Sequence, residues 1–214
     1  MPLTAIEIPL AAQEYGIVFA GSDEVVAPFV VLGIEGNENA YLAEDGSWNA
    51  KYVPAFVRRY PFVFAESKDR TTFTLCVDES WEGCNREGRG ERLFDDEGEK
   101  TPYLGKEMDF LQDYQKRFQR TQAYCKKLVE LNLLESMKAD VTYGGGEKRS
   151  LTGFKVVIRD KLKDLPAEKL SDLAKTDELE LTYLHLHSMN NFTKMLERAN
   201  ERRTREVQSQ AGDE

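Results

Sequence analysis

The spacing of apolar residues changes period partway along this chain, and that change restricts it to folds that combine a sheet with packed helices. From Tyr15 to Cys76, β-branched and aromatic residues come in short runs cut by Gly, Asn, Asp and Pro, the pattern of short strands joined by turns. Ile17–Ala20, Phe29–Gly33, Ala40–Leu42 and Phe73–Val77 read as the strands, with turns at 36–39 and 44–46, which together predict a β-meander. From Phe110 onward the period differs: Phe110/Leu111, Tyr114, Phe118, Thr121/Gln122, Cys125, Leu128/Val129 and Asn132 recur at steps of three and four. Such spacing predicts an amphipathic helix of about 25 residues whose stripe faces the sheet. The expected class is α+β: an N-terminal antiparallel β-rich lobe packed with a long amphipathic helix, a β-hairpin and a C-terminal buried helix.

Between the two patterns, 78–113 holds 12 acidic and five basic residues together with five glycines. That composition predicts a long, solvated, partly mobile loop. The domain expectation is one unit over 1–206, with a β-rich lobe at 1–77, the acidic loop at 78–109, a helix-hairpin-helix lobe at 110–206 and a disordered tail at 207–214. Val141–Tyr143 and Phe154–Ile158 flank Gly144-Gly145-Gly146 and predict a two-stranded hairpin with a loose tip. Pro166 opens a short helix. A longer helix is expected from about Asp177 to Arg205 with Thr176 as N-cap. Its first half is apolar almost all round, through Leu179, Leu181, Tyr183, Leu184, Leu186, Met189 and Phe192, which predicts central burial.

Several functions are disfavoured at this level. A formal charge of −9 over 214 residues opposes general attraction to nucleic acid or anionic lipid. Cys76, Cys84 and Cys125 lack the close pairing of a zinc knuckle and read as reduced core thiols. Met1–Leu10 has neither a basic n-region nor an apolar h-region, and no run approaches a membrane span, so a soluble, cytoplasmic chain is expected. Nucleophile elbows, Walker loops and dinucleotide fingerprints are missing from the sequence; 144–150 has glycines and a lysine without the phosphate-loop spacing. No cofactor and no metal are expected.

Two segments hold the candidate chemistry. Pro54 and Pro61 bracket a short helix rich in aromatics that carries Arg58 and Arg59. One arginine there can stack on Tyr52, Tyr60 or Phe56 and offer its fork to a carboxylate or phosphate; the alternative is an ion pair with Asp78 or Glu79. The only histidines, His185 and His187, stand about 200° apart on a helix and cannot chelate one metal. His187 shares a face with Tyr183, Asn190 and Asn191, a polar strip that either hydrogen-bonds buried carbonyls or faces a ligand.

Glu14-Tyr15-Gly16-Ile17-Val18-Phe19, then Tyr52–Phe62 with its two prolines and paired arginines, then Leu75-Cys76-Val77-Asp78 resemble the SapC family of bacterial proteins. Leu93-Phe94, Gly98, Thr101-Pro102 and Leu184–Asn191 continue the likeness in order, from about residue 7 to 200. The resemblance implies a non-enzymatic accessory or binding protein linked to a surface layer or cell envelope, or to outer-membrane nutrient receptors and flavin halogenase-like proteins. It implies a protein partner of the envelope or uptake system, or a small anionic ligand, and supplies no catalytic residues. The alternative is a small-molecule enzyme whose pocket joins Arg58 or Arg59 to His187.

Overall fold

A computed structural model describes residues 1–36, 38–68, 72–143 and 146–212, with side chains up to Arg203. In chain order the elements are α1 (Ile8–Ala11, entered through a 3-10 turn over Ala5–Glu7), β1 (Gly16–Gly21), β2 (Val26–Val31), α2 (Ala55–Arg58), β3 (Phe62–Glu66), β4 (Phe73–Val77), α3 (Pro102–Glu130), β5 (Leu134–Thr142), β6 (Lys148–Val157), α4 (Arg159–Lys163), α5 (Ala167–Lys175), α6 (Glu178–Ser188) and α7 (Asn191–Gly212). The fold is α+β, as the change of period predicts. It divides into two compact units, one of Met1–Pro54 with Arg120–Glu214 and the other of Ala55–Gln119.

The first unit is built on a four-stranded antiparallel sheet in the order β2-β1-β6-β5. β1 and β2 form a hairpin in register from Gly16↔Val31 to Gly21↔Val26. β1 then meets β6 at Phe19↔Lys155, a pairing between strands far apart in sequence. Gly16, Ile17, Val18 and Phe19 are all buried, so both faces of β1 are covered at this end. Phe19 meets the Tyr124 ring of α3 at 6.3 Å and the His185 ring of α6 at 4.9 Å. Gly16 is needed for close approach, because a Cβ there would lie 2.7 Å from the Phe192 ring at the start of α7.

The second unit contains the β3–β4 hairpin, paired from Phe62↔Val77 to Glu66↔Phe73, the segment 78–101 and the first part of α3. Its buried cluster consists of Phe62, Leu104 and Leu111, flanked by partly buried Phe64, Leu75, Val77, Leu93, Tyr103 and Met108.

Several expectations need correction. The N-terminal strands make no meander: β1–β2 and β3–β4 belong to different sheets. Ala40–Leu42 is not a strand, since only an isolated Leu42↔Trp48 bridge forms there; Tyr41 is instead buried against Tyr15 at 4.6 Å. The hairpin at β5–β6 is longer than its apolar ends suggested, running over 134–142 and 148–157 with a bulge between Met137 and Ala139, and it completes the four-stranded sheet. Gly144 and Gly145, at its predicted loose tip, and Asn37, in the predicted turn at 36–39, lie outside the described residues.

The acidic loop ends at Thr101, earlier than predicted, because Pro102 starts α3. Thr101 Oγ1 accepts the Leu104 N–H at 3.4 Å and donates to the Arg92 carbonyl at 2.6 Å, so a Thr-Pro start of the usual kind was present in the sequence. The single C-terminal helix is in fact two helices, α6 and α7, separated at Met189–Asn190. Asp177, in the left-handed region at φ 61°, precedes α6 in place of Thr176, whose hydroxyl serves the Asp172 carbonyl at 3.1 Å and Glu178 at 2.7 Å. The backbone of α7 is helical through Gly212; of the predicted tail at 207–214, the last two residues lie outside the described residues.

Candidate functional site

Within α6, Glu178, Leu181, Thr182, His185 and Ser188 are buried, at steps of three and four that define one face. The face is mostly polar, and its polar groups are engaged by partners from other elements. Glu178 pairs with Lys127 Nζ at 2.6 Å. The Thr182 hydroxyl donates to the Glu178 carbonyl at 2.7 Å and lies 3.0 Å from Tyr124 Oη. His185 Nε2 accepts the Val157 N–H at 3.1 Å, and Ser188 Oγ accepts the Ile17 N–H at 3.1 Å. One helical step further, Asn191 donates to the carbonyls of Ala12 at 2.8 Å and Tyr15 at 3.1 Å. Together these groups tie α6 and the start of α7 to β1, β6 and the residues after α1, capping peptide groups that burial would otherwise leave unpaired.

His185 is the residue whose placement sequence reasoning missed. It is fully buried. Because Nε2 accepts a hydrogen bond, the neutral ring carries its proton on Nδ1, which has no hydrogen-bond partner among the described residues. Burial pushes its pKa down to about 4, and the backbone of Ile17 opposes that only in part. The 4-3-3 spacing of Glu178, Thr182, His185 and Ser188 was a legible signal, but an apolar reading of the helix hid it.

The predicted strip falls mostly on the opposite side. Tyr183, His187 and Asn190 are exposed, whereas Asn191 is the buried carbonyl donor just described. The Arg159 guanidinium lies 5.9 Å from the Tyr183 ring. Tyr52 also belongs to the first unit: its hydroxyl donates to buried Glu7 at 2.7 Å, and its carbonyl accepts from Tyr15 Oη at 2.5 Å.

The second unit contains Arg58, Arg59 and Tyr60. α2 is four residues long, and its turn continues through Arg59 and Tyr60, whose N–H groups donate to Ala55 and Val57 at 3.0 Å. Arg58 is exposed, with its guanidinium 5.3 Å from the Phe110 ring. Arg59 is half-buried, 4.3 Å from the Phe56 ring and 5.1 Å from the Tyr114 ring. Adjacent residues on a helix point about 100° apart, which accounts for the difference. Asp78, one of the anticipated carboxylate partners, accepts from Tyr60 Oη at 2.9 Å and the Ser80 hydroxyl at 2.6 Å.

Beside this turn lies an open groove of about 930 Å³, with Phe62, Val77 and Tyr103 in its lining and Trp81, Arg86 and Phe94 among its polar and aromatic residues. Tyr60 and Trp81 meet edge-to-face at 6.1 Å. Gly83 lies so close to the Trp81 ring that an added Cβ would come within 2.4 Å of it. The loop that supplies these residues is locally ordered. Asn85 accepts N–H bonds from Glu87 and Arg89 and donates to the Gly83 and Arg89 carbonyls, while Asp95 accepts from Glu97 and Glu99. Cys76 and Cys84 are half-buried in this unit; only Cys125 is a core thiol, pushed up to about 12 by burial. No group of His, Cys, Asp and Glu suited to a metal ion occurs among the described residues, and no described helix is long and apolar enough to cross a membrane.

No curated protein and no solved structure matches the chain. The SapC family model matches residues 1–195. That match includes β1 with Gly16, the arginine turn between Pro54 and Pro61, the groove loop, and α6 with its buried histidine, so the chain belongs to the SapC family.

Proposed function

We propose that this SapC family member is a non-enzymatic accessory or binding protein of the cytoplasm, serving the cell envelope or outer-membrane nutrient uptake, and that it recognises a protein partner through the groove of its second unit. The observation that carries this reading is the exposure of aromatic rings around that groove: Trp81 is 41% exposed, Tyr60 51% and Phe94 52%. Aromatics and arginine are enriched where proteins meet, and clustered exposed rings mark interaction surfaces. The buried histidine supports the same reading, since its Nε2 is spent on the Val157 N–H and is not available to a substrate.

A photo-crosslinking residue placed at Phe94, with another at Tyr183 as control, tests this in the cells that make the protein. The expected product is an adduct from position 94 to an envelope or uptake protein, weakened by Trp81→Ala and missing from position 183. Adducts from position 183 alone, or turnover of a small substrate by the purified chain, would sink the proposal.

A further inference from the structure

The geometry of α2 points to a binding site that does not depend on the groove: we infer that Arg59 is an oxyanion receptor, set to take a carboxylate or phosphate in the two-pronged fork of its guanidinium. The backbone at this residue is held from both sides. Its N–H donates to the Ala55 carbonyl at 3.0 Å, and its carbonyl accepts the Phe62 N–H at 2.8 Å. The side chain is held as well, between the ring of Phe56 three residues earlier and that of Tyr114 on α3, at 4.3 and 5.1 Å. Rings interact with the charge of a guanidinium but satisfy few of its five N–H donors. Among the described residues no carboxylate or carbonyl takes those donors. Asp113, next to Tyr114 in sequence, pairs with Arg117 at 2.5 Å, and Asp78, a partner the sequence suggested, accepts from Tyr60 and Ser80.

A half-buried cation fixed in one geometry and left with open donors has already lost much of the rotamer freedom that anion binding would otherwise remove. An oxyanion that meets the fork makes two charge-assisted hydrogen bonds, in surroundings less polar than bulk water. Arg58, over Phe110 at 5.3 Å, adds a second positive charge on the same turn.

The test is an NMR titration of the full ¹⁵N-labelled chain with inorganic phosphate, acetate and oligoglutamate, following the Arg59 Nε–H signal, assigned by its loss in Arg59→Lys, and, in the parent and both variants alike, the backbone amides of the turn. A saturable shift at about 1 mM is expected, the scale of one such contact. Arg59→Lys keeps the charge and the ring contacts but lacks the fork, and should bind at least about fivefold more weakly, while Arg58→Lys should bind nearly as the parent does. Response to phosphate or acetate identifies a free small anion as the ligand; response to oligoglutamate alone identifies the carboxylates of an acidic partner segment. No saturable shift with any of the three would overturn the inference. So would equal binding by Arg59→Lys with an unchanged unfolding midpoint, which would reduce the effect to diffuse charge.

Discussion

His185 shows how a single buried side chain can make the stability of this fold depend on pH. Its folded-state pKa of about 4 lies below the ordinary 6.5, so the native ring stays neutral where the unfolded ring takes up a proton. Stability is therefore complete above about pH 6.5 and falls as pH drops toward 4, at about 1.4 kcal/mol per unit and on the order of 3 kcal/mol in all. Protonation would also abolish the acceptor that holds the Val157 N–H. Urea unfolding of the parent and of His185→Gln, at pH 7 and pH 4.5, separates this residue from the carboxylates, which contribute equally to both. The parent should lose about 2 to 3 kcal/mol more than the variant over that interval. Parallel losses would show that the imidazole is not the group responsible.

Three turns of this protein share one construction: the residue before the turn accepts the N–H of a glycine three positions on, and donates its own N–H to the carbonyl one position further. Ala43/Gly46/Ser47, Asp95/Gly98/Glu99 and Tyr143/Gly146/Glu147 all follow it, with glycine φ values of 79°, 84° and 84°. A left-handed residue costs a side-chain-bearing amino acid about 1 kcal/mol or more. Gly98→Ala should accordingly loosen the 78–101 segment without weakening α3. Trypsin digestion read by mass spectrometry checks both claims. The first cuts should fall after Arg86, Arg89, Arg92 or Lys100, faster in Gly98→Ala, with Lys106 and Lys116 spared because they lie within α3. Early cleavage at Lys116 would contradict a helix that begins at Pro102.

At the scale of the molecule, the two units differ in how much apolar surface holds each of them. The first buries a large cluster from Leu3 to Ala199, and the second buries Phe62, Leu104 and Leu111. A small core supports only modest local stability. Amide hydrogen exchange should therefore be at least about tenfold faster in β3 and β4 than in the β1–β2 pair. Equal protection would mean that the two units open as one.

What the sequence determined by itself is the part governed by neighbours along the chain. The three-to-four period made α3 legible, β-branched runs marked β1, β2 and β4, and the pair Pro54 and Pro61 marked the turn that carries Arg58 and Arg59. The hundred-degree step between those arginines already implied that they face different surroundings. Sheet order was not legible, because Phe19 meets Lys155 across the whole middle of the chain and no local pattern encodes such a pairing. Nor was the role of His185 and Ser188, or which buried carbonyls Asn191 would reach. In the sequence they look like polar interruptions of an apolar helix, and their partners are the backbone groups of Val157, Ile17 and Ala12. Every residue carries an amide, so a sequence does not show which amide a side chain will reach. The same limit applies to Arg59, whose placement among aromatic rings could be read from its neighbours. Only the tertiary structure decided that those rings would be Phe56 and Tyr114, because that depends on which side chains the packed backbone brings within a few ångströms.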